Sequence, residues 1–166
     1  MRVLVTYHSD TGNTKKVAEA IADSLQKKTG VDLVPLSAKP PAANYDLYFV
    51  GFPVNAHSIP HAAESYMKSL PEGASVALFA THGSLRGGPL AKTAFEQGGA
   101  ILKKAKLVGT FGCRGKVRQE IIDALMQKPE HRPWAVEAQG ASSHPDESDL
   151  ADAAAFALKI FNKANA

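Results

Sequence analysis

Val3-Leu4-Val5-Thr6-Tyr7 is followed by His8-Ser9-Asp10-Thr11-Gly12-Asn13-Thr14 and then by Lys15-Lys16-Val17-Ala18-Glu19-Ala20-Ile21. The first block is a short apolar run, the third has apolar residues at helical spacing, and the middle is rich in hydroxyls with one glycine. A strand, a loop and a helix in this order put the helix's first N–H groups, with their partial positive charge, into the loop. An anion there is bound without any cationic side chain. Ser9, Thr11 and Thr14 add hydroxyl donors, Asn13 adds an amide, and Gly12 lets the backbone approach closely. A helix cap needs one such residue, not a run of them. Donors with no arginine nearby suit a phosphate held permanently better than a phosphoryl group in transfer.

Four further apolar segments, 31–36, 47–51, 75–80 and 107–111, resemble the first in length. Their continuous apolar character predicts strands buried on both faces, as in a parallel sheet. Helical patterns separate them. Val17, Ala18, Ile21, Ala22 and Leu25 form one apolar stripe, and Leu90, Ala91, Ala94, Phe95, Ile101 and Leu102 a second, softened by Gly98 and Gly99. Leu150, Ala153, Ala154, Ala157, Leu158 and Phe161 form the clearest, after Asp146 and Glu147 in a suitable first turn. A weaker helix is predicted over 62–70. Strands alternating with helices imply right-handed βαβ units and an open, doubly wound α/β sheet in a single domain, 1–166. The segment 114–148 interrupts the alternation. It carries one predicted helix, 119–127, and then a polar run with Pro129, Pro133, Gly140 and Pro145 that reads as an excursion between strand five and the last helix.

The chain has 166 residues, 45% hydrophobic and 21% charged, enough for one sizeable core. No apolar run approaches the length of a membrane span, and neither a signal peptide nor an anchor is evident, so the expected location is the cytoplasm. One cysteine, Cys113, excludes an internal disulfide framework and a cysteine-rich metal site. It reads as a packed thiol. The net charge is +3, and the basic residues concentrate in Lys103, Lys104, Lys106, Arg114, Lys116 and Arg118, with no acid from Gln97 to Gln119. This run is either a solvated face or a docking patch for a partner with an acidic surface. A nucleic-acid role is disfavoured, because few aromatics lie near the patch and no binding motif is present.

Rival phosphate loops fail on spacing. Neither G-x-x-x-x-G-K-[ST] nor G-x-G-x-x-G occurs. A phosphoacceptor receiver would need acids after strands one and three, where the chain has Thr6-Tyr7-His8 and Val50-Gly51-Phe52. Ser9-Asp10-Thr11-Gly12-Asn13-Thr14 resembles the S-x-T-G-N-T phosphate loop of the flavodoxin family, and the likeness extends over nearly the whole chain. The resemblance implies a flavodoxin-like five-stranded sheet of order 2-1-3-4-5 and flavin mononucleotide (FMN) as cofactor, its phosphate on Ser9, Asp10, Thr11, Gly12, Asn13 and Thr14.

It also implies that the loops after strands three and four hold the isoalloxazine ring. Pro53, Val54, Asn55, Ala56 and His57 are the matching positions in the first, and Thr81, His82, Gly83, Ser84, Gly87 and Gly88 in the second. Two departures stand out. Neither loop has the Trp or Tyr that sandwiches the ring in many flavodoxins, which leaves Phe52, His57, His82, Leu85 or a partner to stack on it. Neither has an acid, while His57, His82 and Arg86 are present, so the second reduction step is expected at a less depressed potential than in acidic flavodoxins. His57 and His61 are not expected to bind metal, because Pro60 interrupts a regular helix between them. No catalytic residue is assigned. The family likeness implies a one-electron carrier between redox partners, with an FMN-dependent NAD(P)H:acceptor reductase of quinone type as the alternative; a scaffold without flavin is the third reading, disfavoured by the intact loop.

Overall fold

In the computed structural model, which describes residues 1–55 and 57–166, five parallel strands form one sheet. They are β1 (Arg2–Tyr7), β2 (Gly30–Pro35), β3 (Leu47–Pro53), β4 (Ser75–His82) and β5 (Lys106–Arg114), in spatial order β2-β1-β3-β4-β5. Six helices accompany them: α1 (Asn13–Gln26), α2 (His61–Ser69), α3 (Pro89–Ile101), α4 (Gln119–Met126), α5 (Arg132–Gln139) and α6 (Glu147–Ala164). Chain order reverses at β1, so the carboxyl ends of β1 and β3 flank the switch point at which ligands bind in such sheets.

Alternate residues of each central strand feed two cores. Val3, Val5, Phe49, Ala77 and Phe79 face the stripe of α1 and Ala153, Ala157, Ile160 and Phe161 of α6. Leu4, Tyr48, Val50, Phe52, Leu78 and Ala80 face α2 and α3 through Ala63, Met67 and Ala94. The edge strands depart from the sequence expectation. No residue of β2 is fully buried, and the first five residues of β5 are exposed or half-buried. Asp32 and Pro35 already mark β2 as an edge.

Helix α6 begins with a reciprocal capping box: Asp146 accepts from the Asp149 N–H at 2.9 Å, and Asp149 accepts from the Asp146 N–H at 2.9 Å. The excursion is more ordered than its composition suggests. Besides α4, it contains α5, in the stretch predicted to be irregular. Pro133 lies in the first turn of α5, where a missing N–H costs nothing. Ala135 and Ala138 pack on Ile122 of α4 with Val117, Leu125 and Trp134, a small core of its own.

Candidate functional site

The loop after β1 is built largely by its own hydroxyls. Gly12 adopts φ +94° just before α1, a left-handed conformation that costs a residue with a Cβ about 1 kcal/mol or more. The Ser9 Oγ accepts from the N–H of Gly12 at 3.1 Å and from that of Lys15 at 3.3 Å. A hydroxyl has two lone pairs and one proton, so with both acceptor positions engaged the Ser9 O–H proton is left to donate. The N–H groups of Asn13 and Thr14, first in the helix, have no intrahelical acceptor. Ser9 thus adds an O–H donor to the free backbone donors at the positive end of α1. This donor set fits a phosphate.

The other expected donors are placed differently. Thr14 is 1% exposed, and its Oγ1 lies 2.8 Å from the Oγ1 of Thr81 at the end of β4. The Asn13 side chain donates to the Lys116 carbonyl at 2.9 Å, which ties the loop after β5 to α1. Thr11 remains exposed. Asp10 turns away to pair with His8, Oδ1 to Nε2 at 2.9 Å.

Across the carboxyl edge of the sheet lie the two loops assigned to the ring. Val54 donates its N–H to the Thr81 carbonyl at 2.9 Å, fastening the first loop to β4. Asn55 and Ser58 exchange backbone hydrogen bonds around a tight turn in which exposed His57 has φ +66°. Pro53 ends β3, half-buried. The assignment of Ala56 lies outside the described residues. His61 opens α2 and His57 lies in the turn before it, so the two do not share a helix.

The second loop corrects several expectations. His82 was expected to stack on the ring or bring positive charge to it, yet its side chain is inside the protein, 4% exposed. It continues the parity of Leu78 and Ala80, on the face toward α3. Nδ1 donates to the Ser84 carbonyl at 3.0 Å, and Nε2 is buried without a partner among the described residues, beside Gly112. Burial, the largest effect, pushes the His82 pKa down, with the nearby Arg114 and Arg86 acting in the same direction. Both effects favour the uncharged ring. Ser84 is also buried, its hydroxyl 3.1 Å from His82 Nδ1.

Gly83 lies under the excursion. A Cβ there would come within 2.5 Å of Val117 and 3.7 Å of Trp134. Arg86 is drawn to α6, where it pairs with Asp152 at 2.6 Å and stacks over Phe111. Gly87 has φ +78°, and the Gly88 N–H closes a turn onto the Leu85 carbonyl at 3.1 Å. Leu85, 56% exposed, projects at the tip of that turn. Of the cationic groups expected around the ring, only His57 is both exposed and without a recorded ion pair among the described residues.

Arg114, at the end of β5, holds the excursion in place. It donates to the carbonyls of Glu137 at 2.6 Å, Gly140 at 3.3 Å and Gly83 at 3.3 Å, joining the carboxyl end of α5 to the loop after β4. Cys113, one residue earlier, is fully buried and free; burial pushes its thiol up to about 12. It is a packed thiol.

The basic run of the sequence does not form one patch. Lys103, Lys104 and Lys106 lie before or at the start of β5, and Lys116 and Arg118 beyond its end, about 30 Å away for a strand of nine residues. There Lys116 and Arg118 join Lys16 of α1 around a cleft of about 310 Å³, with Thr11, Ser142 and Ser143. The loop, read as able to hold an anion without a cationic side chain and with no arginine nearby, has Lys16, Lys116 and Arg118 around the adjoining cleft. At the far wall His144 and Pro145 complete the cleft, and His144 Nδ1 lies 2.5 Å from Asp149 Oδ2. His144, Asp146 and Asp149 bring one ligand-type atom each within 4.8 Å of one another, a cluster that also forms the cap of α6. Sequence spacing did not single it out.

The model of the flavodoxin domain matches residues 4–158. The chain belongs to the flavodoxin family. Among curated proteins it is 28% identical over 177 residues to the flavodoxin-like domain-containing protein BilS of Clostridioides difficile (strain CD3), covering 99% of each chain. Among solved structures it resembles oxidised flavodoxin 2 from Bacillus cereus, with TM-score 0.65 and 20% identity over 98% of this chain and 99% of that one. It also resembles the azoreductase AzrA, with TM-score 0.63 and 15% identity over 96% and 100%. At these identities the two structures establish the fold alone. No helix among the described residues of this flavodoxin-family chain is long and apolar enough to cross a membrane.

Proposed function

We propose that this flavodoxin-family protein binds FMN and carries electrons between redox partners, in the cytoplasm. The observation that carries the reading is the Ser9 hydroxyl, which accepts from the N–H groups of Gly12 and Lys15 beside the α1 N-terminus and so has its own proton left to donate. Ser9, the Asn13 and Thr14 N–H groups and the Thr11 hydroxyl would hold the phosphate. Pro53, Val54, Asn55 and His57 on one side and Leu85, Gly87 and Gly88 on the other would flank the ring. Bound FMN supplies one-electron chemistry that no side chain here provides. The chain's own part is to fix the phosphate, to offer two ring loops that carry no acidic residue, and to expose Leu85 where a redox protein with an acidic surface docks.

The alternative is an FMN-dependent NAD(P)H:acceptor reductase. The specific observation in its favour is the cleft with Lys16, Lys116 and Arg118, whose charge suits a nucleotide phosphate.

Titration of the flavin-free protein with FMN and with riboflavin tests the cofactor. FMN is expected to bind at least tenfold more tightly, because riboflavin lacks the phosphate. Equal binding of the two removes the phosphate seat. Stepwise anaerobic reduction then separates the functions: accumulation of a one-electron-reduced flavin supports the carrier, and rapid bleaching by NADPH supports the reductase.

A further inference from the structure

The cleft next to the α1 N-terminus differs in chemistry from the seat itself. The seat consists of backbone N–H groups and a hydroxyl; the cleft adds Lys16, Lys116 and Arg118, together with the hydroxyls of Ser142 and Ser143, and no carboxylate lines it. All three cations are exposed, and no ion pair among the described residues involves them. Thr11 and Asn13 belong both to the loop and to the cleft wall, so the two sites share an edge. No described residue of the loops 53–60 and 82–88 lines the cleft, so it lies away from the place assigned to the ring. A volume of about 310 Å³ is at the lower end of small-molecule sites, enough for a nucleotide fragment and too little for a dinucleotide. Lysine, arginine and serine together are a donor set for phosphoryl oxygens.

We propose that this cleft is a second phosphate subsite, adjoining the seat for the FMN phosphate and taking a further phosphoryl group of a bound nucleotide. The inference rests on the seat proposed above. One ligand chemistry here has two sources. The phosphate can be covalently continuous with the first, as in the diphosphate of FAD, or can belong to a separate nicotinamide nucleotide carrying a 2′-phosphate.

The test compares the wild-type chain with the double variant Lys116→Gln/Arg118→Gln. Calorimetric titrations use FMN and FAD against flavin-free protein, and NAD and NADP against FMN-loaded protein. If FAD is the source, its affinity falls about tenfold or more in the variant while that of FMN changes by less than about threefold. If a nicotinamide nucleotide is the source, NADP binds the FMN-loaded wild type more tightly than NAD does, and the variant abolishes the difference. The preferred ligand should also lose affinity with added salt more steeply than FMN does. The proposal is overturned if neither FAD nor NADP distinguishes the two proteins. It is equally overturned if FMN weakens as much as FAD, since the cleft is then part of the first seat. Failure of FMN to bind wild-type protein defeats the functional reading instead, and the NADP arm, run on flavin-free protein, still decides the cleft. Should the double variant unfold, Lys16→Gln on α1 serves in its place with the same expected losses.

Discussion

The Oγ1 atoms of Thr14 and Thr81 lie 2.8 Å apart, 67 residues apart in the chain and out of contact with solvent. One hydroxyl comes from the first turn of α1 and the other from the end of β4, so a single buried hydrogen bond sets the loop after β1 against the strand that leads into the loop after β4. Replacing either residue alone by valine keeps the shape and strands the other hydroxyl, at a cost of about 1–3 kcal/mol. The double valine variant should recover most of that loss. Urea unfolding of the two single variants and the double variant checks this as a cycle.

Ser9→Ala removes the acceptor of two N–H groups and the hydroxyl proton left to donate together. Stability should fall by about 1 kcal/mol, as for loss of a helix cap, and FMN affinity should fall while riboflavin binding is unchanged. Loss of both ligands in proportion would point to a collapsed loop instead.

The buried His82 makes stability depend on pH. Its pKa in the folded protein lies below the ordinary value near 6.5, so between those two values the unfolded chain binds the proton more readily. Stability is complete above about pH 6.5 and declines as pH falls through that window. The wild type should lose more stability than His82→Gln between pH 7 and pH 5, read from urea midpoints. Equal losses would mean that the ring protonates without cost.

Cys113, with its thiol pushed up to about 12 and its side chain fully buried, should resist aromatic disulfide reagents at pH 8. Labelling should proceed only as fast as the fold opens and should become rapid in denaturant. Prompt labelling of the native protein would show the end of β5 to be accessible.

Arg114→Met withdraws three hydrogen bonds from the carboxyl end of α5 and the Gly83 carbonyl. Limited proteolysis should then cut within 127–145 well before the sheet is attacked. A Gly83→Ala variant, whose Cβ meets Val117 at 2.5 Å, should give the same pattern from the opposite side of the contact.

The sequence is most legible where a pattern is local. The five strands and the loop at Ser9 to Thr14 follow from apolar runs and a hydroxyl cluster, and each can be read within about a dozen residues. Helix α5 is hidden because its buried face is only Ala135 and Ala138, next to Pro133; what stabilises it is α4, which the local pattern does not include. His82 was legible in part. Extending β4 by two residues puts it in phase with Leu78 and Ala80, and that parity predicts an inward ring. The cleft was not legible, because Lys16 and Lys116 meet only through a loop that crosses the sheet edge to reach Asn13.

Among the described residues Arg114 hydrogen-bonds to main-chain carbonyls and not to a side chain when it fastens the segment after β5. Any residue supplies a carbonyl. Substitutions at the outward positions of α5 should therefore leave the fastening intact, because the guanidinium holds the backbone whatever side chains it carries.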